Sequence, residues 1–298
     1  MTRRRGEVLK GRLFLVGTPI GNLEDVTLRA LRVLREADVI AAEDTRRVRK
    51  LLSRYDIHTP TVSYHGHNER EKAAAVAEEV ARGKKVALVS DAGMPGVSDP
   101  GFMAVGECVR RGLEVEVVPG ASSLTAALAL CGLPLARFRC EGFLPRRRTQ
   151  RRSRLLPLLR EGEAFVFYEA PHRILETLRD LAELAPERML VVARELTKAH
   201  EEVLRGTARE VLRAFAGREP MGEFTIVVAP AERGTEEPLS ALAAEVTRLR
   251  DEGLPTREAV RAVAQKHGVS QREVYRAWLD ERAEREGCEA APGNGDMA

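Results

Sequence analysis

Seven short clusters in the 298-residue sequence carry residue types that do chemistry, and each directly follows an apolar run. Gly17-Thr18-Pro19-Ile20-Gly21-Asn22 lacks the third glycine of G-x-G-x-x-G and the Gly-Lys-Ser/Thr of a P-loop, so neither dinucleotide nor NTP phosphate binding follows, and a tight turn is the plain alternative. Gly120-Ala121-Ser122-Ser123-Leu124 ends on Leu where a nucleophile elbow needs Gly, which leaves Ser122 or Ser123 as a helix cap. Ser90 to Gly101 holds three glycines and two prolines in twelve residues, too many for strand or helix. Such a loop lets backbone approach a ligand closely, with Asp99 as cap and Pro100 as the first residue of the next helix. Glu43-Asp44-Thr45-Arg46-Arg47, Tyr168-Glu169-Ala170-Pro171-His172-Arg173 and Arg194-Glu195-Leu196-Thr197-Lys198 offer carboxylates, cations and a phenol, with helix capping and surface ion pairs as the bland alternative. In the seventh, His65-Gly66-His67-Asn68-Glu69, the histidines lack cysteine partners and metal spacing. Cys108, Cys131, Cys140 and Cys288 form no C-x-x-C pair, so no metal or disulfide framework is expected.

The elements that must position these clusters are legible as short apolar runs alternating with amphipathic stretches, the pattern of βαβ units around a parallel sheet. Leu13–Val16, Val39–Ala42, Thr61–Tyr64, Val86–Ser90 and Val115–Val118 read as strands, and Leu28, Leu31 and Leu34 show helical spacing. Their carboxyl ends are where an open parallel sheet binds ligands. A second α/β domain with a mixed sheet is expected from Phe138–Phe143, Ala164–Tyr168, Met189–Ala193, Glu201–Leu204 and Phe224–Val228. The expected boundaries are a basic arm 1–12, an N-terminal α/β domain 13–136, a C-terminal α/β domain 137–230, a linker 231–238, a helical extension 239–286 and a disordered tail 287–298. The most apolar stretch, Leu124 to Ala136, is broken by Gly132 and Pro134 and is too short for a membrane span, and no signal peptide is visible, so a cytoplasmic protein is expected.

Taken in order, the blocks Leu15 to Leu23, Ala42 to Arg46, Ser90 to Gly93 with Asp99 to Gly101, Val118 to Ser123 and Tyr168 to Arg173 resemble the small-subunit ribosomal RNA methyltransferase subgroup of the tetrapyrrole methylase superfamily. The resemblance spans about residues 11 to 230 and is specific as a set. It implies two α/β domains that hold S-adenosyl-L-methionine in the cleft between them, a homodimer, and 2'-O-methylation of the ribose of cytidine 1402 in the decoding site of 16S rRNA, naked or in the 30S subunit. The implied cofactor residues are Pro19, Ser90, Asp91, Ala92, Gly93, Ala121 and Ser122 from the first domain and Phe143, Tyr168, Glu169 and Ala229 from the second. The start departs from the Gly-x-Gly-Pro-Gly usual in the tetrapyrrole enzymes, which argues against a tetrapyrrole substrate.

A ribose hydroxyl needs a positioned base, and Asp44, Glu43, His65 and Lys198 are candidates, with Asp44 first because it follows a strand and is flanked by Thr45 and Arg46. RNA affinity needs cations. Although the chain's formal charge is only +3, Arg137 to Arg160 holds nine arginines against Glu141, a local +8, which marks Arg146, Arg147, Arg148, Arg151 and Arg152, with Arg46, as phosphate contacts. Thr256–His267, Gly268-Val269 and Ser270–Leu279 form a helix-turn-helix pattern with Ser270 and Glu273 as a capping box. Residues 239–286 balance nine basic against nine acidic side chains, which favours an accessory RNA-docking or packing module over the alternative of a DNA-binding regulator. A small-molecule, precorrin-like, or protein methyltransferase is the other alternative, and it gives the nine arginines no use.

Overall fold

The computed structural model describes residues 11–133, 135–231, 239–267 and 269–289. Contacts divide the chain into two compact units, one ending at Pro230 and the other starting at Ala231. Residues 1–10 of the expected arm, 232–238 of the expected linker and 290–298 of the expected tail lie outside the described residues.

The first unit opens with β1 (Arg12–Val16), α1 (Leu28–Glu36), β2 (Val39–Ala42), α2 (Thr45–Arg54), β3 (Thr61–Ser63), α3 (Glu69–Ala81), β4 (Lys85–Val89), α4 (Phe102–Arg110) and β5 (Glu114–Val118). The five strands are all parallel, in the order β3-β2-β4-β1-β5. Successive residues of a strand serve opposite faces, which is why these strands read as continuous apolar runs. Phe14, Ala87 and Val89 join α1 and α2 in one core, while Leu13, Val86 and Leu88 join α3 and α4 in another. Thr27 caps α1, its side chain accepting the Ala30 N–H at 3.0 Å, and Leu31 and Leu34 are buried. Leu28 departs from the expected spacing: as the first helical residue it points to solvent, 86% exposed.

The same unit continues with α5 (Ser123–Leu130), β6 (Phe138–Phe143), α6 (Arg148–Glu161), β7 (Ala164–Glu169), α7 (Ile174–Leu184), β8 (Met189–Arg194), β9 (Glu202–Thr207), α8 (Ala208–Ala214) and β10 (Phe224–Val228). These strands form a mixed sheet in the order β6-β7-β10-β8-β9, parallel between β6 and β7 and antiparallel elsewhere. One face, with Phe165, Phe167, Leu190, Val192 and Ile226, packs on α6, α7 and α8. The other face, with Val166, Val191, Ala193 and Val227, packs on Ala127 and Cys131 of the α5 segment and on Ile20 after β1. That shared core joins the two sheets, so the expected boundary at 136/137 falls inside one compact unit.

The second unit is α9 (Leu239–Asp251), α10 (Thr256–His267) and α11 (Gln271–Glu289) around Leu242, Val246, Val260, Val263, Val274 and Trp278. The Ser270 hydroxyl accepts the Glu273 N–H and the Glu273 carboxylate accepts the Ser270 N–H, at 3.1 Å each, forming the expected capping box. Helix α11 runs through Glu289, past the expected start of the tail at 287. Among the described residues no helix is long and apolar enough to cross a membrane.

Candidate functional site

The carboxyl ends of β1, β4 and β5 are tied together by backbone. The Thr18 and Gly93 peptides exchange hydrogen bonds at 2.8 and 3.1 Å, and the Gly17 N–H donates to the Val118 carbonyl at 3.0 Å. The two loops cross so closely that a Cβ on Gly17 would lie 2.7 Å from the Gly120 Cα. Glycine is therefore required there by space. Above this floor, between the two sheets, is a cavity of about 750 Å³, a size that suits a small-molecule ligand.

Among the expected cofactor residues, Asp91, Ala92, Gly93, Ser122, Phe143, Tyr168 and Glu169 line the cavity. Ser90 is buried behind the loop, its hydroxyl donating to the Gly93 carbonyl at 3.4 Å, and Pro19 and Ala121 sit in the packed floor. Ala229 is elsewhere: β10 meets the cavity at Phe224 and Thr225, and Ala229 follows the opposite end of that strand, where its N–H bonds the Met189 carbonyl. Ser122 takes the N-cap position of α5 but makes no capping bond with its side chain.

Asp99 differs most from the expectation. Helix α4 starts at Phe102 with Gly101 as its cap residue, at φ +148°, instead of at Pro100 with Asp99. The capping carboxylate comes from α3: buried Glu69 accepts the N–H groups of Gly101 at 2.8 Å and Met103 at 3.2 Å, and Tyr64 donates to it. Relieved of capping, Asp99 lines the cavity. Burial, then the charges of Glu43, Asp91 and Glu223, push its carboxyl up to about 7 against a hydrogen bond with Ser90. Glu43 also lines the cavity and is raised by burial, against a hydrogen bond from the Asp91 N–H; the Asp91 charge adds to the rise, and Arg47 and His65 oppose it.

Two of the other candidate bases, Asp44 and Lys198, are committed. Asp44 caps α2, accepting the Arg46 N–H at 2.9 Å and the Arg46 guanidinium at 2.8 Å, and these bonds hold its carboxyl down at about 2. Lys198 is in the cavity wall as an ion pair with Glu195 at 2.8 Å and Glu223 at 3.4 Å. Burial works to lower its pKa, and those bonds outweigh it, so it stays charged. His65 follows β3 beside His67, its Nδ1 buried without a partner among the described residues, and does not line the cavity. Among the described residues no group of three or more His, Cys, Asp or Glu side chains is placed to hold a metal.

The local +8 of Arg137 to Arg160 is mostly matched once folded, because the acids that meet it come from distant positions. Arg151 is fully buried, 2.8 Å from the equally buried Asp180, and so is not a phosphate contact. Arg148 and Arg152 pair with Asp180 and Glu183, Arg154 with Glu141, and Arg139 with Glu161 and Glu163. Burial works to raise the Asp180 carboxyl, and the bonds from Arg148, Arg151 and Arg152 hold it below its ordinary value. Arg146 and Arg147, exposed where the chain enters α6, have no ion pair among the described residues. Arg46 is exposed and paired with Asp44.

Spacing alone missed Asp99, Glu195, Glu223 and Arg47 as cavity residues. Glu195 carried one signal, its place directly after a strand. Glu223 carried none, since only the antiparallel return of β10 brings it there.

The family model described as tetrapyrrole (corrin/porphyrin) methylases matches residues 12–212. The chain belongs to the tetrapyrrole methylase family. Within it, the chain is 49% identical over 222 residues to the ribosomal RNA small subunit methyltransferase I of Thermotoga maritima, covering 74% of this chain and 100% of that protein. It is 42% identical over 278 residues to the protein of the same name from Halalkalibacterium halodurans, covering 91% and 96%. Among solved methylases, the uroporphyrin-III-C-methyltransferase from Thermus thermophilus is 26% identical with a TM-score of 0.51, over 74% of this chain and 94% of that one. A diphthine synthase, at 19% identity and a TM-score of 0.58 over 73% and 90%, shares the fold.

Proposed function

We propose that this methylase transfers the methyl group of S-adenosylmethionine to the ribose 2'-hydroxyl of cytidine 1402 in the decoding site of 16S rRNA. The observation that carries this reading is an acidic cavity between the sheets of a chain whose relatives, matched over 91% of its length, are named ribosomal RNA small subunit methyltransferase I. Six carboxylates line the cavity, Glu43, Asp91, Asp99, Glu169, Glu195 and Glu223, against the cations Arg47 and Lys198. Such a lining suits a cationic ligand and repels phosphate, so an RNA substrate would present its ribose at the rim. The crossing at Gly17 and Gly120 brings the loops after β1 and β5 together beneath that cavity. When bound, the cofactor supplies an activated methyl group on a sulfonium.

The chain's own residues then have two tasks. The loops after β4 and β5 and the wall from β7 and β10 orient donor and acceptor in line, which is where most of the barrier reduction arises. One carboxylate takes the hydroxyl proton. Asp99 suits this better than Asp44, because a group poised near 7 accepts a proton where one held at about 2 does not. Arg146 and Arg147 are the phosphate contacts we retain from the α6 segment. A homodimer belongs to the same reading, supported by apolar side chains left exposed on the edge strands, Val117 on β5 and Phe138 on β6. So does a cytoplasmic location, where ribosomal RNA is found.

Incubation with methyl-labelled S-adenosylmethionine and either naked 16S rRNA or assembled 30S subunits, followed by nucleoside digestion, tests the reading. Label in 2'-O-methylcytidine is expected. Label on a base, a protein or a small molecule, with none on ribose, would overturn it.

A further inference from the structure

We infer that the second unit carries a nucleic-acid face of its own, formed by α10 and the first turns of α11, which grips structured RNA through phosphate contacts. The charge balance of this segment is zero along the sequence, and folding redistributes it: Asp251, Glu258 and Asp280 stay exposed, while other acids are engaged by neighbouring cations or caps. Glu245 is engaged by Lys266 at 2.6 Å, by His267 at 2.7 Å and by Arg248, Glu252 pairs with Arg248, and Glu273 closes the Ser270 cap. Arg250 and Arg282 lie over the Trp278 ring, at 5.1 and 5.9 Å. Four exposed arginines, Arg257 and Arg261 on α10 and Arg272 and Arg276 on α11, have no ion pair among the described residues.

The two pairs stand on the exposed arcs of two helices in contact, α10 and α11. Arg257 and Arg261, and likewise Arg272 and Arg276, are four residues apart and so neighbours on their helices. Arg261 lines a cleft of about 470 Å³ together with Ser270 and Gln271 at the start of α11. At 100° per residue, Gln271, Tyr275, Leu279, Arg272 and Arg276 follow one another around α11, all exposed, while Val274, Ala277 and Trp278 turn inward. The exposed arc thus runs from an amide through a tyrosine and a leucine to two arginines, and the acids Glu273 and Asp280 stand at its far border. Arginine forks match phosphate pairs and, with tyrosine, stack on unpaired bases, which fits a folded RNA. The inference deepens the rRNA reading and rests on it for the choice of RNA.

The test is RNA binding by the full chain, followed by fluorescence anisotropy with a decoding-site fragment of 16S rRNA, without cofactor and across a salt series. The variant R257A/R261A/R272A/R276A alters only exposed side chains, and its helical content is checked by circular dichroism. RNA affinity is expected to fall about tenfold or more near physiological salt, and the slope of log affinity against log salt to flatten by roughly one per lost contact. Lysine at all four positions is expected to restore the slope. A folded alanine variant with unchanged affinity and slope would overturn the inference, as would a change confined to oligomeric state, which would assign the face to a second copy. Because binding is read without methyl transfer, a wild-type chain that fails to methylate rRNA but loses RNA affinity in the variant overturns the activity and leaves this face standing.

Discussion

Asp99 carries the sharpest consequences at the scale of single residues. If it accepts the ribose proton, kcat rises with pH up to about 7 and then levels, and D99N loses about 10²- to 10⁴-fold in single-turnover rate. The same residue makes a stability prediction of opposite sign. Its folded-state pKa is raised above the ordinary carboxylate value, so between roughly pH 4 and 7 the folded chain keeps a proton that the unfolded chain releases. Stability from this group is therefore lost as pH rises through that window, and D99N should melt above wild type at about pH 8 and close to it below about pH 4. Equal melting at both would show that Asp99 is not held in a charge-averse environment. From the sequence, Asp-Pro before a helix looks like a cap. What reverses that reading is Glu69, thirty residues upstream, taking over the α4 N–H groups, and no local pattern records a cap supplied by another helix.

Among elements, strand placement was legible because the inner strands β2, β4 and β1 of the first sheet are largely buried and all five strands are bounded by glycine-rich or charged loops. Val39–Ala42, Phe138–Phe143 and Phe224–Val228 coincide with the expected strands end to end. Helix α6 was legible as a helix but not as a charge. Five of the nine arginines behind the local +8 lie on it, and only the packing of α6 on α7 brings Asp180 and Glu183 against Arg148, Arg151 and Arg152. R151A should therefore act as a packing mutation, leaving Asp180 buried with fewer partners and lowering unfolding free energy by about 3–5 kcal/mol in denaturant titration. A loss of RNA affinity with normal stability would instead return Arg151 to the RNA surface. The crossing of the loops after β1 and β5 makes a separate prediction. In G120A the new Cβ would lie 2.9 Å from Gly17 backbone, prying the cavity floor open, and calorimetric affinity for S-adenosylmethionine should drop about tenfold or more.

For the whole molecule, a net +3 says little, because charge is sorted by folding rather than by sequence position. Acids gather in the cavity, most arginines of α6 are matched by α7 and neighbouring acids, and arginines without an ion pair among the described residues include those at the α6 entrance and on the three-helix unit. Such an arrangement attracts a polyanion to exposed surfaces while keeping the cavity for a cationic donor. The most direct test of this division is mass spectrometry of the 16S rRNA decoding-site fragment after incubating unmethylated 30S subunits with the protein and S-adenosylmethionine. One added methyl on the ribose of cytidine 1402, absent when D99N replaces wild type, is the predicted result. A methyl on a base or at another nucleotide, or equal modification by D99N at the earliest times, would contradict the account.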